Sequence, residues 1–267
     1  LKPALNWLAS ARQMYDTLQD EEGASRVLAT TAYTLSQLGR FADALAAARQ
    51  ARARAGSGAS AEVRREASIS LTWASIQTGR LSEAREAVHQ ALDHASVDDS
   101  PDQVVSLRAL LGFIDAAGGR FQEALAAWND ALAHTPDGSQ NRAVAGLRLA
   151  VVYAALNVGD REQAQTQIER LRRMADQAAE FKPSAQHASA LLALADGDDA
   201  QAYQLFSQVW PAARASGSLN QQMLADYAEV LIRRRDLDTL ETLLGEPSLR
   251  ADEGYLYQLV RARYLAH

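Results

Sequence analysis

The sequence predicts an all-α solenoid of stacked antiparallel helix pairs with no strands, and three observations predict it. The first is a glycine that returns at positions 39, 79, 119, 159 and 197, in steps of 40, 40, 40 and 38. A fixed period of this size marks a repeat architecture, in which one supersecondary unit is copied along the chain. The second is an alanine five residues after each glycine: Ala44, Ala84, Ala124, Ala164 and Ala202. The third lies in the flanks. Before Gly39, residues Leu28, Leu35 and Leu38 fall on one helical face, and after it Ala44, Ala48 and Ala51 do the same. Glycine between two such runs suits the left-handed turn that ends a helix.

Composition is consistent with this reading and removes several alternatives. Hydrophobic residues make up 48% of the 267 residues but aromatics only 6%, so the core must be built from small side chains in closely approaching helices. The net charge of −6 argues against a general nucleic-acid surface or an anionic-membrane surface. There is no cysteine, so neither a disulfide nor a thiolate metal site can form. No uninterrupted apolar stretch approaches the roughly 18 residues of a membrane span. The chain opens on Leu1 rather than methionine, and both ends fall within a repeat; the expectation is a fragment of a larger bacterial protein. The compartment expected is the cytoplasm, with the periplasm as the alternative.

Taken in order, the chain reads as one array over residues 1–267. Residues 1–20 form the second helix of a truncated unit, because Ala4, Leu8 and Ala11 match Ala44, Ala48 and Ala51. Pro3 suits a helix start, and Trp7 is expected to pack on the next helix pair. Full units follow at 21–58, 59–98, 99–138, 139–182, 183–217 and 218–247, with a terminal capping helix in 248–267. In the first unit, Asp20-Glu21-Glu22-Gly23 reads as a polar break ahead of a helix from about Ala24, and Gly56-Ser57-Gly58 as a flexible linker. Ser100-Pro101-Asp102-Gln103 and Ser218-Leu219-Asn220-Gln221 read as capping boxes. Pro136 should stop a helix, and Pro211 should kink or shorten one. The sixth unit has lost its turn glycine: Arg235-Asp236-Leu237 stands there, and Leu240 replaces the small alanine. That larger residue implies looser packing or a capping role.

The pattern Gly-Arg/Asp-aromatic/Leu-x-x-Ala, followed by an apolar and then a small residue, resembles the tetratricopeptide repeat (TPR). The third unit carries it best, with Leu111, Gly112, Gly119, Phe121, Ala124, Trp128, Ala131 and Pro136. Thr72 and Val152 depart from it where Gly112 stands. The period of about 40 is longer than the 34 of the plain repeat. It is similar to the long-helix variety of bacterial peptide-sensing regulators and of maltose-activator-type regulators. The resemblance implies a right-handed superhelix whose first helices line a concave groove. The residues that carry it pack helices and perform no chemistry.

Six residues before the turn glycines stand Tyr33, Trp73, Phe113, Tyr153 and Leu191, and two before stand Gln37, Gln77, Ala117, Asn157 and Ala195. One reading is a groove floored by an aromatic ladder and edged by carboxamides, suited to an extended peptide because rings give flat contact and amides both donate and accept. The other is that the rings pack sideways between neighbouring first helices. Further along, His187, Asp226, Glu229 and Arg233 are expected on the same inner face, as a charged end that grips a ligand terminus or a basic side chain.

Catalytic chemistry has no evident place. His89 and His94 are poorly spaced for one metal, Asp196-Gly197-Asp198-Asp199 lacks the spacing of a calcium loop, and no nucleophile elbow occurs. No cofactor is implied. The expectation is a non-catalytic scaffold that binds a protein or peptide segment. The alternative is a regulatory module that senses a small effector. Neither nucleic-acid binding by this segment nor membrane insertion is expected.

Overall fold

The computed structural model describes residues 2–93, 101–135, 141–215, 221–245 and 255–265. Among them are fourteen α-helices, one short 3-10 turn and no strand. The chain divides into two compact units, residues 1–127 and 128–267. In the first, α1 (Lys2–Leu18) packs on the hairpin α2 (Glu21–Gln37) and α3 (Phe41–Arg54). The hairpin α4 (Ala61–Gln77) and α5 (Leu81–Asp93) follows, then α6 (Pro101–Ala117) and α7 (Phe121–Ala133), within which the division falls. The second unit holds α8 (Arg142–Val158) with α9 (Arg161–Gln177), and a 3-10 turn at Ala179–Phe181. It continues with α10 (Lys182–Ala195) and α11 (Asp199–Ala215), α12 (Gln221–Arg234) and α13 (Leu237–Leu244), and α14 (Tyr255–Leu265).

The repeat is set at its turn. Gly39, Gly79, Gly119, Gly159 and Gly197 all take the left-handed conformation, with φ from 68° to 80°. Each is followed by a residue whose N–H returns to a carbonyl five residues back, as from Arg40 to Leu35 at 3.0 Å and from Asp160 to Ala155 at 2.8 Å. Together with the 3.0 Å bond from Gly39 N–H to Ser36 O, this is the Schellman closure, which satisfies the last carbonyls of the helix. The alanine five residues on is fully buried in all five copies. That position therefore lies where two helices come closest.

Several expectations are changed by tertiary contacts. The first helix of the first full unit starts at Glu21, not near Ala24, because Asp20 caps it by accepting from Gly23 N–H at 2.8 Å. Gly23 is required there for space: a Cβ would lie 2.3 Å from the Tyr15 ring. Trp7 does not pack on the next pair; it is 78% exposed. The helix containing Pro211 is not shortened and runs on to Ala215. The sixth unit keeps the turn without the glycine. Arg235 itself adopts φ 57°, and Asp236 N–H reaches Leu231 O at 2.9 Å. Leu240 is fully buried, so the bulk in place of alanine is accommodated inside. Thr72 and Val152 are likewise fully buried. Ser100, Pro136 and Ser218 to Asn220, which carry predicted caps and a stop, lie outside the described residues.

Candidate functional site

In the first unit the aromatic row is on the surface. Tyr33 on α2 is 65% exposed and Trp73 on α4 is 39% exposed, whereas Phe113 on α6 is partly buried. Gln37 and Gln77, one helical turn further along, are exposed beside them. The rings of Trp73 and Phe113 meet at a centroid distance of 5.0 Å, tilted by 50°. Neighbouring rings thus touch across successive first helices, and Trp73 keeps part of its surface open to solvent. The arrangement is local in origin. On a first helix, the residues one and two turns before the glycine fall on one face, and the 40-residue register repeats that face from hairpin to hairpin.

In the second unit the same register gives a different environment. Tyr153 is partly buried, and burial, then the charge of Asp226, push its hydroxyl pKa up against the opposing Asn157 side chain. Asn157 is exposed and donates to Tyr153 O at 2.8 Å. His187 and Asp226, predicted on an open charged wall, are interior residues, 3% and 8% exposed. They bind each other at 2.9 Å, from His187 Nε2 to Asp226 Oδ2. Gln222 Nε2 donates to the other carboxylate oxygen at 2.9 Å, and the Phe206 ring stands edge-on to the imidazole at 5.7 Å. This pair joins α10 to α12.

Glu229 and Arg233 stay nearer the surface. Arg233 Nε donates to Glu229 Oε1 at 2.9 Å, and Arg263 Nη1 pairs with Glu229 Oε2 at 2.6 Å. Burial alone would raise the Glu229 pKa, but the hydrogen bonds from Arg233 and Arg263 outweigh it and hold it below the usual carboxylate range.

Other polar groupings escaped the sequence reading. Asp115, 7% exposed, is gripped by Arg120 at 2.7 Å and by Arg85. They border a hollow of about 740 Å³ with Glu86, His89 and Glu123. Asp115 stands where Leu35, Ser75 and Ala155 stand in sister units, and a carboxylate in that series is the signal that was available. In the second unit a groove of about 430 Å³ is edged by Arg172, Asp176, Lys182, Gln186 and Gln201. Neither hollow includes Tyr33, Trp73, Phe113 or Tyr153. Among the described residues no group of His, Asp or Glu is placed to hold a metal, and no helix is long and apolar enough to cross a membrane.

The helix pairs, their left-handed glycine turns and the buried alanine define a class: the chain has the fold of the TPR-like helical repeats. The particular likenesses are to solved structures. A Rap protein complexed with competence and sporulation factor superposes with a TM-score of 0.69 at 14% identity, over 97% of this chain and 71% of that one. The apo form of RapI gives 0.66 at 11% identity, over 99% and 100%. A signal-transduction ATPase with numerous domains and a tetratricopeptide repeat sensor, from Pyrococcus horikoshii, gives 0.61 at 14% identity, over 96% of this chain and 40% of that one. No protein-family model matches the chain, and no curated protein matches it.

Proposed function

We infer that this chain is a non-catalytic scaffold, reading residues 1–267 as one repeat array, that holds a peptide or an extended segment of a partner protein. The exposed faces of its first helices would provide the contact. The observation that carries the reading is the pair Tyr33 and Trp73: two large rings, 40 residues apart in register, left exposed while the alanines of the same hairpins are buried. Exposed aromatics cost apolar contact with water, and they supply broad, rigid contact to a ligand. Gln37 and Gln77 beside them can donate to and accept from a peptide backbone without regard to side-chain identity. In the second unit, Tyr153 and Asn157 continue the same register, and Glu229 and Arg233 offer charge. His187 and Asp226 would act from inside, fixing the helices that present these groups. The Rap structure solved with competence and sporulation factor supports a ligand-holding role for this fold.

A second reading is favoured by the likeness to the ATPase with a repeat sensor: a module within a larger regulator that responds to a small effector.

The test is selection of peptides from a random displayed library on the intact chain, repeated on Trp73→Ala and Tyr33→Ala. Loss of roughly 1–3 kcal/mol of binding with each variant is expected; the melting temperature should change little for Tyr33→Ala, whose ring is 65% exposed, and fall for Trp73→Ala, which also loses the contact with Phe113. Peptides that bind the variants and the wild type equally would remove these residues from the site. Selection of none, together with saturable binding of small metabolites, would favour the sensor.

A further inference from the structure

One ring on each first helix sets a spacing as well as a face. Inside the first compact unit, α4 packs against both α2 and α6. Packed helices stand about 8–10 Å apart, axis to axis. The register therefore presents Tyr33, Trp73 and Phe113 one helix width at a time, along a line that crosses the helices. Phe113 leans on Trp73, centroid to centroid 5.0 Å, and so props the indole from the α6 side. Tyr33 has no ring partner among the described residues, and it is 65% exposed.

This strip carries no charge, and its hydrogen-bonding groups are unspent. Thr30 and Gln37 flank the ring on α2, and Ser70 and Gln77 flank it on α4; none is ionisable. The next residues along the same faces are Arg26 and Glu66, which pair with each other at 3.6 Å. Among the described residues, the Tyr33 hydroxyl, the Trp73 indole N–H and the carboxamides of Gln37 and Gln77 have no hydrogen-bond partner. The second unit differs, because Asn157 at the carboxamide place already donates to Tyr153 O at 2.8 Å. An indole N–H only donates, and a hydroxyl and a carboxamide can both donate. A strip of this kind suits an uncharged ligand with apolar rings and carbonyl acceptors.

Regular backbones differ in how often they return a side chain to one face. An α-helix does so about every 5.4 Å, and a strand about every 6.6–6.8 Å. A polyproline II segment does so about every 9.3 Å, which is three residues at about 3.1 Å each. Of the three, only the last matches the spacing of packed helices. Proline also supplies carbonyls without N–H groups, so its backbone asks for donors alone. Such a segment is ordered before it binds, and that favours it on an open strip with little wall to hold a flexible chain. Resting on the reading of this face as a peptide-binding surface, we propose that its ligand is an uncharged, proline-rich segment in the polyproline II conformation. The segment crosses α2 and α4 with prolines three residues apart on Tyr33 and Trp73. Gln37 and Gln77 donate to its carbonyls.

The test is isothermal titration of the intact chain with decaproline, acetylated and amidated so that it carries no charge. Its mirror image in D-proline and a flexible glycine-serine decapeptide are titrated beside it. The expected result is saturable binding of decaproline, with both other peptides at least about tenfold weaker. Tyr33→Ala and Trp73→Ala should each weaken decaproline by about tenfold or more. Tyr33→Ala is the cleaner variant, since that ring has no partner to lose. Equal binding of the two mirror images, or binding that neither variant changes, overturns the proposal. So does a failure of decaproline while displayed-library peptides without regularly spaced proline bind and still need Tyr33; the peptide-holding reading then stands. If no peptide of either kind binds, both readings fall.

Discussion

The two compact units follow one register but fill their interiors differently. Around α2 to α5 the core is mostly alanine: Ala32, Ala44, Ala47, Ala48, Ala74 and Ala87 share a cluster with a few leucines. Around α10 to α14 it is bulky, with Phe206, Val209, Met223, Leu224, Tyr227 and Leu231. Phe206 stacks on Tyr227 at 5.4 Å, and Tyr203 and Trp210 flank that ring at 6.2 and 6.0 Å. Arg234 lies over the Tyr203 face at 4.7 Å. The lesson lies in where the rings go. Where alanine lets the helices approach closely, aromatic side chains are left for the surface, as Tyr33 and Trp73 are. Where the helices stand on bulky side chains, the rings are consumed by the core.

The contrast predicts opposite sensitivities. The largest effect should be Phe206→Ala, which removes a buried ring stacked on Tyr227 and should cost about 3–5 kcal/mol in denaturant melting. The alanine unit should fail in the other direction. Ala48→Leu, at a fully buried position, should cost roughly 1–3 kcal/mol by overpacking. If Ala48→Leu is tolerated without loss, the close-approach account of that unit is wrong. Smaller still is the turn of the sixth unit. Arg235 holds a left-handed conformation that five other turns assign to glycine, so Arg235→Gly should stabilise by about 1 kcal/mol.

The smallest effect at neutral pH is Tyr227→Phe, and it grows in alkali. Burial, and next the neighbouring Tyr203, push the Tyr227 pKa up to about 12, while an unfolded tyrosine ionises near about 10. Between those values the unfolded chain gives up a proton that the folded chain retains, so unfolding becomes easier as pH rises. The contribution of this group is complete below about pH 10 and gone above about 12, and Tyr227→Phe should flatten the stability profile across that window.

The turn positions were legible from the sequence because spacing alone specifies them. A residue's place in the hairpin determines whether it takes a left-handed φ or sits at the tightest crossing, and all five glycines and all five alanines conform. Depth was not legible, because it depends on what the neighbouring helix brings. His187 reads as a polar residue on a helix face, and only the proximity of Asp226, 39 residues on, makes it an interior one. Trp7 reads as core because aromatic residues usually are; its exposure depends on which helices lie against α1. The start of α2 was hidden for a related reason, since Gly23 looks like a break until the Tyr15 ring is seen against it. For the candidate face, the register of Tyr33, Trp73 and Phe113 was legible, but their shared contact and exposure were not.

The meeting of Trp73 and Phe113 has a practical consequence. The two rings belong to successive hairpins and stand 5.0 Å apart, so any flexing between those hairpins must change how they overlap. An indole in that setting is a built-in strain gauge. Taken as the difference between the chain and its Trp73→Phe variant, which removes the signals of Trp7, Trp128 and Trp210, its emission should follow the opening and closing of neighbouring layers in real time, and Phe113→Leu should weaken that response.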